Sequence, residues 1–581
     1  MDRYTRLFAV PFALALPRAA MALTCGEIAA MADAGVPPAV VVATIEDAGT
    51  LFDPAALACL AAHALPPEVL AAARAQGQEA VLGPATLAAP VDPAPASSAP
   101  EPLDHALRLA QAHKPLAASL LLADLLREDA YPAERSRIAF HLATCLEALE
   151  LPILAEHHLL EALRPGPPDP WFERALVRLV ALSQRTGDPT ALQRVVARLP
   201  EAAWPVRVHP DLAWAAGLRY AEGGEVGAAL AVLAQVPEGA HHDLGARYLE
   251  GVLLARQGRL REAAQRFEAV AEAPVTAHDR AEVLRQRELQ NLAVLDVARL
   301  YYGLGRYAEA LHHYGLVERH AEAWPQARFE AAWARLMAND PEGSLGELMT
   351  VRSPFFATQP WQPEAEVLRA IDLYTLCDLG ETNRVVGDFQ ARVGPDREAL
   401  HAFVGEYAGH GGTPLAEEAW SAWSGPRVPD VGPEIRDTLG RDRDLVIAAA
   451  RLGRIAAEKQ AVQAQKARWR DAMEPVLLPL LAAEERRAQR RAGLHLLAGA
   501  AALDAKLADL LAQAEVIAFE SGEAARQGYE DLAAGAPLAA AHGEEIYVYA
   551  TNPRETYWPF NGEFWEDELG AYRVVGASLC R

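Results

Sequence analysis

Cysteine is scarce in this chain: Cys25, Cys59, Cys145, Cys377 and Cys580 are the five in 581 residues. No two stand in a CxxC or other metal-ligand spacing, so a zinc site has no sequence support. The odd count leaves at least one thiol without an intramolecular partner. Aromatic residues are few, at 7%. Basic residues are outnumbered, 54 Lys and Arg against 78 Asp and Glu, for a formal charge of −24. Such an acidic surface repels phosphate backbones and argues against general nucleic-acid binding. A local exception, Arg486, Arg487, Arg490 and Arg491, shares one helical face; it reads as solvated surface, with contact to an anionic partner as the alternative. The motifs GxSxG, HExxH, GxxxxGKS/T and the dinucleotide fingerprint are all missing. Beyond the N-terminus no apolar run is long enough to span a bilayer, since Leu494 to Leu503 stops at Asp504. These absences predict no cofactor, no bound metal and no enzymatic activity.

What is present points to helix and to export. Apolar residues are 51% of the chain, dominated by Ala and Leu, both strong helix formers. The length predicts three or four structural units. Arg3 and Arg6 form a basic n-region, Leu7 to Leu16 an apolar core, and Ala20-Met21-Ala22 a small-residue cleavage site. Residues 1–22 therefore read as a signal peptide with a mature start at Leu23, and the expected location is periplasmic.

Residues 23–77 carry a duplication. Met31-x3-Gly35-Val36-Pro37-Pro38-x-Val40 recurs as Leu60-x3-Ala64-Leu65-Pro66-Pro67-x-Val69, a period of 29 residues. Each copy reads as helix, Gly/Pro turn, and a second helix opening on Pro. Cys25 and Cys59 fall in the first-helix parts, and we expect them to be disulfide-bonded. Residues 78–102, with Gly83-Pro84, Pro90, Pro93, Pro95, Pro100 and Pro102, read as a Pro/Ala-rich linker.

From 103 to 430 helical pairs succeed one another, roughly eight in all. Gly251, Leu254, Gly258, Leu260, Ala263, Phe267 and Pro274 are followed by a second set, Ala298, Tyr301, Gly305, Tyr307, Ala310 and Tyr314. This pattern resembles the tetratricopeptide repeat. The resemblance implies that the small first-helix residue admits its partner helix, that Gly305 makes the turn, and that Tyr307, Ala310 and Tyr314 pack back on the first helix. Gly258 and Gly305 are 47 residues apart, which predicts an extended helix or inserted turn within 279–295. Trp333 and Leu345 are expected in the core, and Cys377 on a buried helical stripe. Stacked pairs of this kind share a continuous core and leave a binding face.

After Gly425 to Pro433 the pattern changes. One long charged helix is expected near 436–492, kinked at Pro475 and Pro479, and a second near 495–533. Together, within 431–535, they predict a hairpin projecting from or capping the solenoid. The tail, 536–581, gathers Tyr557, Trp558, Phe560, Phe564, Trp565 and Tyr572 beside Glu563, Glu566, Asp567 and Glu568. We expect these aromatics to lock the tail against the hairpin with the acids solvated. A partner-docking epitope is one alternative, and a carbohydrate site with paired carboxylates another. Phe519-Glu520-Ser521 resembles the acidic signature of glycan-cleaving transglycosylases, but no Gly-Leu-Met-Gln run follows, so Glu520 reads as a helix-surface residue. The histidine pairs His157/His158, His241/His242 and His312/His313 point about 100° apart on a helix and read as surface or turn residues.

The expected fold is thus an all-α, tetratricopeptide-like α-solenoid with a small N-terminal helical repeat domain, a C-terminal long hairpin and an aromatic tail. The order of these parts resembles periplasmic repeat proteins of myxobacteria and relatives, some associated with gliding-motility and envelope machinery. That resemblance implies a scaffold or adaptor for protein partners in the envelope, with an envelope glycan-binding or peptidoglycan-modifying protein as the rival.

Overall fold

The structure, a computed structural model, describes residues 28, 60, 65, 69–70, 101–129, 131–275, 280–356, 361–409, 415–425, 430–533 and 564–572. The expected signal peptide, most of the duplicated unit, the linker up to residue 100, and Cys25, Cys59, Cys580, Tyr557, Trp558 and Phe560 lie outside these residues. Of the duplicated unit, Ile28, Leu60, Leu65 and Val69 are described and buried.

Among the described residues the chain is all-α, with twenty α-helices and no strand. Helices pack on their sequence neighbours, which gives a solenoid-like array. The first four pairs are α1 (Glu101–Gln111) with α2 (Pro115–Arg127), α3 (Arg135–Ala148) with α4 (Pro152–Ala162), α5 (Phe172–Thr186) with α6 (Thr190–Val196), and α7 (His209–Glu222) with α8 (Val226–Leu233). Four more follow: α9 (Asp243–Arg256) with α10 (Leu260–Ala271), α11 (Arg280–Gly303) with α12 (Tyr307–Leu316), α13 (Trp324–Met337) with α14 (Pro341–Val351), and α15 (Glu364–Thr375) with α16 (Leu379–Tyr407). The 24-residue α11 accounts for the long interval between Gly258 and Gly305: the first helix of that pair is extended.

One construction makes every turn within a pair. A single residue with left-handed backbone follows the first helix: His113, Glu150, Gly187, Gly224, Gly258, Gly305, Asn339 and Cys377, at φ from 55° to 74°. In seven of these eight turns the next residue donates its N–H to the carbonyl five positions back, at 2.8–3.0 Å. This closure satisfies carbonyls that the helix end would otherwise leave orphaned. In four of the pairs the second helix then opens on Pro115, Pro152 or Pro341, or behind an aspartate cap. Asp340 accepts from the Gly343 N–H at 3.0 Å and Asp378 from the Glu381 N–H at 3.1 Å. Cys377 therefore lies in a turn, half-buried, not on the helical stripe expected for it.

Beyond α17 (Ala416–Ser424) and α18 (Pro433–Gly440) come α19 (Arg443–Gln463) and α20 (Ala467–Ala533). The helix break thus falls at 464–466, not near 493, and α20 runs on for 67 residues, about 100 Å at the usual rise. Gly493, between the two expected helices, lies inside α20. Its role is close approach: a Cβ there would stand 1.8 Å from the Ala416 carbonyl oxygen. The hairpin is antiparallel, as the pairing of Arg451 with Glu484 and of Leu439 with Gly499 requires.

The hairpin neither projects nor merely caps. Ile455, Val462, Trp469, Met473, Leu477, Leu481 and Ala488 share a core with α1–α8 and with Ala246, Leu249 and Leu253 of α9. Further along α20, Ala492, Leu496, Leu503, Leu507 and Ile517 share a second core with α15–α18. The three cores of the intervening helices contain no hairpin residue. The solenoid therefore leaves α20, arcs away, and returns to it. Trp333 and Leu345 are buried as expected. No helix among the described residues is long and apolar enough to cross a membrane.

Candidate functional site

The repeat positions form tight contacts inside two pairs. Gly251 on α9 faces the Phe267 ring on α10; a Cβ would lie 2.6 Å from it. Ala263, Phe267, Ala310 and Tyr314 are all 0% exposed. Gly258 and Gly305 hold the left-handed turn positions. Tyr301 and Tyr307 are half-buried. Tyr301 stacks on His313 at 5.0 Å beneath the Arg306 guanidinium, and Tyr307 meets Tyr302 edge-on at 5.6 Å.

Next to these pairs the solenoid holds part of the tail. Residues 564–572 dock on α13 and α14, not on the hairpin. Leu569 is buried in the core of α11–α13. The Gly570 N–H donates to Thr350 Oγ1 at 2.9 Å, and Arg319 donates to the Asp567 carbonyl at 3.4 Å. Gly570 rides over Trp324, where a Cβ would stand 3.1 Å from the indole. Arg319 and Arg328 lie over the same ring at 6.0 and 5.6 Å. Arg328 is itself fixed by the Tyr314 carbonyl at 2.6 Å and Glu347 at 3.3 Å. The aromatic and acidic tail thus finds an aromatic and cationic seat, whereas the hairpin stripes are already covered by the solenoid. Of the proposed docking residues, Phe564 and Tyr572 meet edge-on at 6.1 Å, and the Tyr572 hydroxyl accepts from the Trp565 N–H at 3.3 Å. The Trp565 side chain is 58% exposed.

A second polar site latches the hairpin to the first pairs. Arg451, on α19, donates to Glu156 at 2.7 Å, Asp188 at 2.9 Å and Glu484 at 3.1 Å. Glu458, two turns on, accepts from the Ile153 and Leu154 N–H groups at 2.5 and 3.1 Å, capping α4 from another part of the chain. Burial alone would raise the Asp188 and Glu484 carboxyls, but the guanidinium of Arg451, joined at Glu484 by Arg194, holds both near 2. Burial dominates at Glu458 and pushes it to about 7. Trp469 donates to Ser119 at 2.8 Å. Arg491 donates to Thr190 at 2.9 Å, so the arginine cluster is not wholly solvated. Further along α20, Asp504 receives Arg397 at 2.7 Å and His401 at 2.8 Å. Glu520 is exposed.

The histidine pairs are edge-on at 4.6–5.4 Å. His158 is an exception to the surface reading, at 5% exposure with Nδ1 3.2 Å from Glu161. Sequence reasoning did not find Trp324, Arg319, Arg328 or Thr350, because nothing in their spacing marks a seat for a segment more than 200 residues away. The latch did leave a signal. Leu445, Ala448, Ile455 and Val462 form a helical stripe that also runs through Arg451 and Glu458, and a charge on an apolar stripe demands a buried partner. Comparison with known proteins finds no family model that matches this chain and no curated protein similar to it.

Proposed function

We propose that the chain is a non-catalytic protein–protein interaction scaffold or adaptor in a bacterial envelope assembly, acting in the periplasm after loss of a signal peptide. In this reading the helical pairs are tetratricopeptide-like repeats. Partners bind along α10–α14, whose described cores the hairpin does not enter. The docking of residues 564–572 carries the proposal. The solenoid accommodates a short acidic segment through a buried leucine, a backbone hydrogen bond and cations around Trp324. A partner segment of like chemistry can use such contacts in trans, at this seat or on a neighbouring pair.

The test is in-cell crosslinking and co-purification of the full protein beside a version ending at Gly535. Photoreactive residues suit the crosslinking, because the chain has four lysines, Lys114, Lys459, Lys466 and Lys506. A discrete envelope partner captured equally or better by the shortened protein is the expected result. Loss on shortening would move the docking element into the tail. Absence of any partner in both would overturn the scaffold reading.

A further inference from the structure

The corner between α18 and α19 brings three ligand-bearing side chains together. Asp442, Asp444 and His495 each offer one donor atom, and these atoms lie within 4.8 Å of one another. Asp442 caps α19, one carboxylate oxygen accepting from the Leu445 N–H at 2.8 Å, which leaves its other oxygen to the cluster. His495 projects from α20 on the opposite arm of the hairpin. As a residue it is only 9% exposed, and among the described residues neither ring nitrogen has a hydrogen-bond partner, so the imidazole is available to the two carboxylates beside it. Two carboxylates face this imidazole, and a third, Glu222 at the end of α7, interacts electrostatically with Asp444. Arg491 is also close to His495, but its guanidinium is engaged by Thr190 at 2.9 Å and Gln193 at 3.4 Å.

We propose that Asp442, Asp444 and His495 bind one divalent transition-metal ion of the zinc class and so pin the two arms of the hairpin together. The donor set selects the class. An imidazole nitrogen favours zinc and its neighbours over magnesium or calcium, which take all-oxygen shells. Three protein ligands leave a fourth tetrahedral position for water or Glu222. Donors around a tetrahedral zinc with bonds near 2.0–2.1 Å stand about 3.3 Å apart, so side-chain rotation has to draw the cluster in by about an ångström or more. The site lies where the core of the first pairs ends, at Ala488, and the core of α15–α18 begins, at Ala492. An ion there fastens the seam between the two attachments of the arc.

The experiment is calorimetric titration of tag-free, full-length protein, stripped with chelator, using Zn2+ alone and then Co2+ for its visible spectrum. The expected result is one site of micromolar or tighter affinity, weakened at least tenfold by Asp442→Asn and by His495→Gln. Retention of that site in the His312→Ala/His313→Ala protein is also expected. Asparagine preserves the helix cap, so Asp442→Asn decides the matter even if His495→Gln fails to fold. Millimolar binding, or a site unchanged by Asp442→Asn, overturns the proposal. So does a site lost on removing His312 and His313.

Discussion

Glu458 stands where a helix N-terminus favours a negative charge and burial disfavours it. Burial prevails, with the two N–H donors pulling the other way, and the carboxyl titrates near 7 against an ordinary value of 4.5. Between those values the folded chain holds a proton that the unfolded chain has released. This residue's contribution to stability is therefore full below about 4.5, falls as pH rises towards 7, and is constant above. His141 and His157, lowered to about 4 mainly by burial, slope the opposite way between about 4 and 6.5, so the wild-type profile alone is ambiguous. The difference from Glu458→Gln isolates the carboxyl. From pH 5 to pH 8 the variant should gain on the wild type by on the order of 2 kcal/mol in urea denaturation. A constant difference would refute the assignment. Arg451 carries the complementary prediction. Arg451→Ala strands the buried Glu156, leaves Asp188 to Arg454 and Glu484 to Arg194 and Arg487, and should cost about 3–5 kcal/mol, read as a lower denaturation midpoint. Leucine at 451 should cost no more than alanine, because it restores packing.

At the scale of the element, the turn explains which repeats the sequence reveals. The left-handed position is glycine in four pairs and His113, Glu150, Asn339 or Cys377 in the rest. A reader searching for glycine at helix ends finds Gly258 and Gly305, and the pairs around them are the legible ones. The pairs turning at His113, Glu150, Asn339 and Cys377 use the same backbone with a residue that advertises nothing, so their helices are visible but their shared repeat is not. A left-handed non-glycine residue costs about 1–2 kcal/mol, partly offset by the greater unfolded freedom of glycine. Glu150→Gly should therefore raise stability by up to about 1 kcal/mol, and Gly258→Ala should lower it by about 1 kcal/mol. Equal effects of the two in chemical denaturation would show that the turn is unstrained. The hairpin was legible as two long helices, but its break was misplaced. Gly493 inside a helix and Gly at a helix end are the same letter, and only the neighbour at Ala416 distinguishes them.

For the whole molecule, the sequence disclosed a run of helical pairs followed by longer helices. Their closure into an arc stayed hidden, because it depends on contacts between residues hundreds of positions apart. The tail seat is hidden for the same reason. One covalent link belongs at this scale. Cys145 is free and buried, whereas Cys377 is disulfide-bonded. The other three cysteines, Cys25, Cys59 and Cys580, lie outside the described residues. Tyr572 is docked near the pair that precedes Cys377, and the eight residues from there to Cys580 can span about 26 Å. Non-reducing peptide mapping should find Cys377 joined to Cys580, leaving Cys25 and Cys59 able to pair as expected from the sequence. A Cys377 peptide linked to Cys25 or Cys59 would reject this connectivity.

The contact between Ser119 and Trp469 bridges 350 positions. Synthesis at roughly 5–20 residues per second therefore leaves the early pairs waiting on the order of a minute or less for the helix that covers them. During that interval their apolar stripe is open to chaperones, and a chain interrupted before α20 never hides it. Synthesis of the hairpin and concealment of that stripe become the same event, so a chain cut short of α20 stays recognisable by touch.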